Sequence, residues 1–382
     1  MDLKILVSAG ESSGDLYASG LVEALRERLP AAEFFGCAGP RMQRAGVRAV
    51  VDASSLSVVG LFEVITHIPR IYGEFRKLCE AAERERPQLA ILTDSPDFNL
   101  RVARRLKRLG IPVVYLVAPQ VWAWRKGRLP AMRKLIDRLL CIFPFEEEFF
   151  RRNGIHADYI GHPLTRLVKA GVSRTEFFQK HNLAEGRPLI GVLPGSRPGE
   201  IARHLEPLRD AVARIGADRQ ANFVLGTPLG FEAKFGRGVF ERLLTGSPIQ
   251  IVEGETWDLA ASSDVLLVAS GTVTVEAALL GAPMVTFYRV SGWSWTFGRH
   301  LVDVPHLSMV NLIAENAVVP ELMQNEMTGE RLAGEALRLL DDRRRRDQMR
   351  LDLERVAARL WREQDPMSLA AAIVLDTLKR KS

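Results

Sequence analysis

Short apolar strands alternating with helical patterns, and a fresh start of that alternation after Pro188, predict an α/β protein of two Rossmann-like domains. Glycine-bearing turns at the ends of the leading strands in both halves support the same class. In the first half the strands fall at Leu3–Ala9, Phe34–Ala38, Leu89–Thr93, Val113–Val117, Leu139–Phe143 and Tyr159–Gly161. Each is a short Val/Ile/Leu-rich run, as expected of parallel strands covered on both faces. Helical patterns such as Leu16–Leu29 and Leu100–Leu109 lie between them. Residues 164–187 are polar and helical and close at Gly186-Arg187-Pro188. The second set of strands follows at Leu189–Leu193, Phe223–Leu225, Ile249–Val252, Val265–Val268 and Met284–Tyr288. From Thr328 onward the chain is helical and charged. These boundaries give domains at 1–165 and 166–345, with 346–382 as C-terminal helices. The last helix, Pro366–Leu378, would pack back on the first domain or on a partner chain. Two such domains are expected to present parallel sheets facing across a cleft, with the chemistry on the strand-end loops.

The 382 residues are 47% hydrophobic, enough for two ordinary cores. Cys37, Cys79 and Cys141 are far apart and form no C-x-x-C pair, which suits reduced, buried thiols better than disulfides or zinc. Met1-Asp2-Leu3-Lys4 has no charged leader and reads as the approach to a first strand, not a signal peptide. The uncharged stretch from Leu109 to Trp124 is broken by Pro112 and Pro119 and falls short of the ~18 apolar residues that a spanning helix needs. Net charge is +6, and residues 101–138 hold eleven Lys/Arg against one acid, Asp137. Such an excess suits an anionic partner or, for Arg101, Arg104, Arg105 and Arg108, a solvated helix face.

Leu92-Thr93-Asp94-Ser95-Pro96-Asp97-Phe98-Asn99 places two carboxylates on a turn at the carboxyl end of a buried strand. Ligands bind at that end of open α/β sheets, and a carboxylate there can take a proton from a hydroxyl nucleophile. Either acid could instead cap a helix beginning near Asn99. Gly10-Glu11-Ser12-Ser13-Gly14-Asp15 follows the first strand and opens a helix whose free N–H groups suit an anion or a sugar oxygen. Ser13 or Asp15 could cap that helix, whereas no cap requires Glu11. The spacing is not G-x-G-x-x-G, so no dinucleotide cofactor is expected.

In the second half, Leu193-Pro194-Gly195-Ser196-Arg197-Pro198-Gly199-Glu200 is the equivalent turn. Gly195 and Ser196 lead into a helix, and Arg197 adds a donor fork suited to phosphate oxygens. Ala269-Ser270-Gly271-Thr272-Val273-Thr274-Val275-Glu276 repeats the theme. Ser270, Gly271 and Thr272 can offer hydroxyl and N–H groups, and Glu276 either grips a ribose diol or serves as a first-turn acid. Two anion-ready helix starts in one half point to a nucleotide diphosphate. No D-x-D and no clustered histidines occur, so no metal site is expected, and His162 reads as structural.

Leu56 to Leu78 carries a broad apolar stripe that includes Phe62, Ile65, Ile68 and Phe75. It suits a buried helix, an acyl-chain pocket or a membrane-interface surface. Trp122-Ala123-Trp124-Arg125 interleaves indoles with cations, as do interfacial belts and sugar-stacking sites. Trp293 and Trp295 carry the same ambiguity.

Taken in order, Ala9-Gly10-Glu11-Ser12-Ser13-Gly14-Asp15, Ala38-Gly39-Pro40-Arg41-Met42, Asp94-Ser95-Pro96-Asp97-Phe98-Asn99, Val121-Trp122-Ala123-Trp124-Arg125, Phe143-Pro144-Phe145-Glu146, Ile160-Gly161-His162, Leu193-Pro194-Gly195-Ser196-Arg197, Ala269-Ser270-Gly271-Thr272 and Asn311-Leu312-Ile313-Ala314 resemble the lipid A disaccharide synthases, inverting glycosyltransferases of lipopolysaccharide assembly. The resemblance implies an α/β fold of glycosyltransferase-B type. It also implies a β-1,6 linkage formed between UDP-2,3-diacylglucosamine and 2,3-diacylglucosamine 1-phosphate, with UDP released and no cofactor. The family's general base falls on Asp94 and its essential arginine on Arg197. Gly195, Ser196, Ser270, Gly271, Thr272, Glu276 and Asn311 fall on the UDP side. Glu11 joins the catalytic group, while Ser13, Asp15, Phe62, Trp122, Trp124 and Arg125 fall on the acceptor or membrane side. Ser95 stands where the family usually has alanine. The expected setting is cytoplasmic, peripheral on an anionic inner-membrane leaflet, with no nucleic acid partner and room for a homodimer. A UDP-sugar 2-epimerase on the same architecture is the rival reading, but it would need neither the apolar stripe nor the basic band. A catalytically idle lipid-binding protein would not need Asp94 and Arg197.

Overall fold

A computed structural model describes residues 3–53, 61–240, 245–290 and 304–380, with the side chains at 61–68, 234 and 237 outside that description. Trp293, Trp295 and the side chain of Phe62 therefore lie outside the described residues. The chain forms two compact units, Met1–Pro163 with Leu360–Ser382, and Leu164–Arg359.

The first unit carries β1 (Lys4–Ala9), β2 (Glu33–Ala38), β3 (Arg48–Asp52), β4 (Leu89–Thr93), β5 (Val113–Leu116), β6 (Arg138–Cys141) and β7 (Ala157–Tyr159). They form one parallel sheet in the order β3-β2-β1-β4-β5-β6-β7. Every residue of β4 and β5 is buried, which explains their uninterrupted apolar sequence. The order of strands reverses between β1 and β4, and their register sets Ala9 beside Thr93. Helix Ser12–Arg28 packs against the returning helix Pro366–Lys379 at Gly20, where a Cβ would lie 3.3 Å from Met367 Cγ. The preceding helix, Arg343–Leu360, belongs almost entirely to the second unit.

The second unit carries β8 (Leu189–Leu193), β9 (Asn222–Thr227), β10 (Ile249–Glu253), β11 (Val265–Ala269), β12 (Met284–Tyr288) and β13 (Glu321–Met323). The sheet is again parallel, in the order β10-β9-β8-β11-β12-β13, and reverses between β8 and β11. By the topology rule for such sheets, each unit has one ligand crevice, at β1/β4 and at β8/β11.

Two strands were invisible to sequence pattern. Of the residues in β3 only Val51 is fully buried, and β13 is three residues long, so neither carries the apolar run that marks a central strand. β5 stops at Leu116, not Val117, because Val117 turns to φ 64°. β6 and β7 begin earlier than expected and end at Cys141 and Tyr159. The helix after β4 starts at Pro96, three residues before Asn99. Pro96 needs no N–H there. All three cysteines are buried and free.

Candidate active site

In the first unit, the register places Gly10 beside Asp94 at the reversal point. Gly10 N–H donates to Asp94 Oδ1 at 2.8 Å and Glu11 N–H to Oδ2 at 3.0 Å. The carboxylate thus sits over the start of helix Ser12–Arg28, whose N-cap residue Glu11 makes no side-chain cap. Gly14 permits this approach: a Cβ there would overlap Asp94 Oδ2 and lie 2.8 Å from Thr93 Cγ2. Asp94 and Ser95 both hold left-handed backbone, at φ 50° and 37°. For non-glycine residues that conformation is costly and persists only when the surroundings enforce it. Here Asn99 Nδ2 donates to Thr93 O at 2.7 Å and Asp94 O at 3.1 Å, Ser8 Oγ fixes Asn99 Oδ1 at 2.8 Å, and the Tyr115 hydroxyl donates to Asp94 O. Burial pushes the Asp94 carboxyl up to about 7, with the Glu11 charge adding to it and the bonds from Gly10, Ser95 and Glu11 opposing it.

Asp97, three residues on, has the opposite environment. Its side chain is 72% exposed and is ion-paired with Arg128 and, at 3.0 Å, with Arg125. Partial burial raises its carboxyl, but the two guanidiniums outweigh that and leave it below the ordinary range. A carboxylate near 7 suits proton abstraction at neutral pH, whereas one held low by two arginines does not. The ambiguity between the two acids is a matter of surroundings that sequence spacing does not carry.

Asp15 is buried and accepts from Arg41 N–H at 2.9 Å and Met42 N–H at 3.1 Å, tying Gly39-Pro40-Arg41-Met42 to the crevice wall. Both of its carboxylate oxygens are engaged by that turn, which gives Asp15 a supporting place. Trp122 also corrects the expectation of a surface role. It is 7% exposed, packs edge-on to Phe145 at 4.9 Å, and donates its indole N–H to Glu146 Oε1 at 3.0 Å. Glu146 is fully enclosed, and burial raises it to about 8. Trp124 is 41% exposed with the Arg125 guanidinium 4.3 Å from its ring centre, so this pair keeps an outward face. Ser13 is half-buried in the first turn of its helix. His162 is buried against Phe143 and Tyr17, and burial lowers it to about 3, which leaves it neutral and structural.

In the second unit, Gly195 has φ +118°, a conformation that suits glycine, and a Cβ there would meet Glu200 Oε2 at 2.5 Å. Glu200 Oε2 accepts from Ser196 N–H at 3.2 Å, and the Glu200 carboxylate also bonds the Tyr288 hydroxyl. Ser196 and Arg197 are exposed at the start of helix Pro198–Asp218. One donor of the expected phosphate cradle is therefore held by an internal carboxylate, so a diphosphate there would exchange with Glu200. His204 braces the same turn: its Nδ1–H donates to Pro194 O at 2.8 Å and its Nε2 accepts from Arg289 N–H at 3.1 Å. Across the reversal, Ser270 Oγ donates to Leu307 O at 3.2 Å, while Gly271 and Thr272 are exposed where helix Thr272–Leu279 begins. Glu276, one turn in, is half-buried with Oε2 accepting from Trp257 Nε1–H at 2.8 Å.

Asn311 departs from its expected nucleotide contact. It is 1% exposed, its Nδ2 donates to Val319 O at 2.9 Å and Glu321 Oε1 at 2.7 Å, and its Oδ1 accepts from Val318 and Val319 N–H. Every polar atom of that side chain is committed to positioning β13. Sequence reasoning missed Tyr115, Asn99, Glu146, Glu200, His204 and Trp257 as supports. Asn99, Glu146 and Glu200 lay inside quoted motifs, but Trp257 had no local signal. Among the described residues no three His, Cys, Asp or Glu side chains converge as metal ligands.

The lipid-A-disaccharide synthetase family model matches residues 5–374. A lipid-A-disaccharide synthase of Solibacter usitatus is 63% identical over 94% of this chain and 93% of its own length. That of Myxococcus xanthus is 42% identical over 98% and 97%. Among solved structures, the UDP-GlcNAc 2-epimerase of Neisseria meningitidis bound to UDP-GlcNAc superposes with a TM-score of 0.67 at 13% identity, covering 99% of this chain and 100% of that one. Anabaena HepE in complex with UDP and glucose gives 0.56 at 15%, covering 98% and 100%. These structures share the glycosyltransferase-B architecture of two parallel sheets with interleaved helices. The chain belongs to the lipid-A-disaccharide synthase family of glycosyltransferases.

Proposed function

We propose that this enzyme joins UDP-2,3-diacylglucosamine to 2,3-diacylglucosamine 1-phosphate through a β-1,6 linkage, inverting the anomeric carbon. Asp94 takes the proton from the acceptor 6-hydroxyl. That oxygen attacks the anomeric carbon from the face opposite the diphosphate, the bond to the diphosphate oxygen breaks, and UDP leaves with its electron pair. Arg197 and the helix starts at Ser196 and Thr272 take up the developing negative charge. The first unit serves the acceptor, through Asp94 with Glu11, Ser13, Trp124 and Arg125, and the second unit serves UDP. The observation that carries this reading is the contrast at the end of β4: Asp94 is half-buried with a carboxyl near 7, while Asp97 is neutralised by two arginines.

The same reading places the enzyme on the cytoplasmic face of the inner membrane. No helix among the described residues is long and apolar enough to cross a membrane. Support for peripheral attachment comes from a groove of 530 Å³ between helices Leu61–Glu85 and Pro96–Arg108, lined by Tyr72, Arg76, Arg101, Arg104 and Arg108 among others. Tyr72 is 59% exposed, and Arg101, Arg104 and Arg108 are exposed cations that suit an anionic leaflet. The test is to incubate purified protein with both acylated sugars and weigh the products. Joined disaccharide and free UDP in equal amounts are expected. Conversion of the UDP-sugar without acceptor would overturn the reading in favour of an epimerase.

A further inference from the structure

We propose that Trp257 is a positioning residue for nucleotide recognition, holding Glu276 so that one carboxylate oxygen is kept for the ribose diol. This rests on the reading of Glu276 as a ribose contact. Trp257 is the second residue of helix Thr256–Ser262, which follows β10, and Glu276 lies on helix Thr272–Leu279, which follows β11. In sheet order β9 and β8 lie between those strands, so no local sequence relation brings the two side chains together. The indole nitrogen can only donate, and a carboxylate can only accept, so the 2.8 Å contact has one sense. It engages Oε2. Oε1 has no hydrogen-bond partner among the described residues.

A carboxylate at the end of a Glu side chain is free to turn about its last torsion and to choose among rotamers. A half-buried carboxylate fixed at one oxygen loses that freedom before the ligand arrives. Oε1 is then already aimed, and its two lone pairs can accept from both hydroxyls of a diol, a contact that a ligand with a single hydroxyl makes only in part. Trp257 is itself half-buried, so its ring is anchored while the N–H is aimed. Both residues belong to the second unit, at the same strand-end edge as Ser270, Gly271 and Thr272.

The discriminating readout is the preference for UDP over 2′-deoxy-UDP, measured by calorimetry on the full-length protein. Glu276→Ala is expected to bring that preference close to unity. Trp257→Phe keeps the ring but removes the donor, and is expected to cut the preference by about fivefold, the weight of one net hydrogen bond. Trp257→Gln, which restores an N–H donor, should retain more of it. Should Trp257→Phe melt early, the Trp257→Gln comparison still decides the matter. An unchanged preference in Trp257→Phe, with Glu276→Ala erasing it, would overturn the role of Trp257 alone. Equal losses of affinity for both nucleotides in Trp257→Phe would assign the indole to packing or to the base, and would also overturn it. A full preference in Glu276→Ala would bring down the ribose reading and this proposal with it.

Discussion

The two strand-order reversals share a topology but have opposite chemistry. At β1/β4 the helix start is covered by Asp94, a carboxylate from the neighbouring strand end, held by Gly10 and Glu11 N–H. At β8/β11 the start of the first helix is covered by Glu200, a carboxylate from within that helix, and the neighbouring strand end offers Ser270, Gly271 and Thr272 instead of an acid. Backbone N–H groups at a helix start favour an anion in both places. What differs is who brings it. In the first unit the protein supplies a partly desolvated carboxylate on a strained turn, which suits the proton transfer proposed for it. In the second unit the internal carboxylate is on the helix itself, and the exposed Arg197 adds a cation beside it; under the proposed function a diphosphate would displace that carboxylate.

The largest expected effect tests the first crevice. Asp94→Asn should lower kcat by about a thousandfold, within the range for loss of a general base, while UDP affinity stays within a few-fold. Steady-state kinetics beside UDP calorimetry separate the two quantities, and normal turnover would remove Asp94 from the role. The second crevice is tested by Arg197→Ala, for which a loss of about 2–4 kcal/mol in transition-state stabilisation is expected, the scale for a preorganised charge contact. Normal kcat/KM together with normal UDP binding would move the cradle elsewhere.

Gly14→Ala asks whether Asp94 needs its seat on the helix. A methyl there collides with the carboxylate and with Thr93, so a stability loss of about 1–3 kcal/mol and at least about a tenfold drop in turnover are expected. A melting curve and a rate that both match the parent would show that the seat is dispensable.

The pH profile sharpens the same comparison. Asp94 must be ionised to accept a proton, so turnover should rise with pH through about 7 and then level off. The sign for stability is the reverse. The native state holds this proton more tightly than the unfolded chain, whose carboxyl lies near the ordinary 3.8, so the contribution is full below about 4 and lost as pH climbs to about 7. Asp94→Asn should flatten both slopes, and a rate profile with no inflection near 7 in the parent enzyme would contradict the raised carboxyl.

The smallest effect belongs to Asp97→Asn. Its carboxylate is largely exposed and its ion pairs with Arg125 and Arg128 are screened on that side, so a change in stability of about 1 kcal/mol or less and a rate within several-fold of the parent are expected. A rate loss as deep as that of Asp94→Asn would exchange the roles of the two acids.

Much of the architecture was readable from residues alone. β1, β4, β8 and β11 announce themselves because strands buried on both faces must be continuously apolar, and the turns after them carry the glycines that such close approaches demand. The edge strands β3 and β13 were silent for the complementary reason: an edge strand is half-solvated or very short and keeps little apolar pattern. The motifs also fall at the strand ends where such sheets bind ligands: Asp94, Gly195, Arg197 and Thr272 all sit on the turns after strands β4, β8 and β11 or at the helix start that follows.

Local sequence determined which segments become strands and which turns carry acids, glycines or hydroxyls, because hydrophobic period and backbone freedom act over a few residues. Only the tertiary structure decided that Asp94 and not Asp97 has a raised carboxyl, that Trp122 is buried on Glu146, that Asn311 is committed to β13, and that Trp257 reaches Glu276. Each of those outcomes depends on desolvation or on a hydrogen bond between residues brought together by the sheet, and both are set by neighbours that lie far away along the chain.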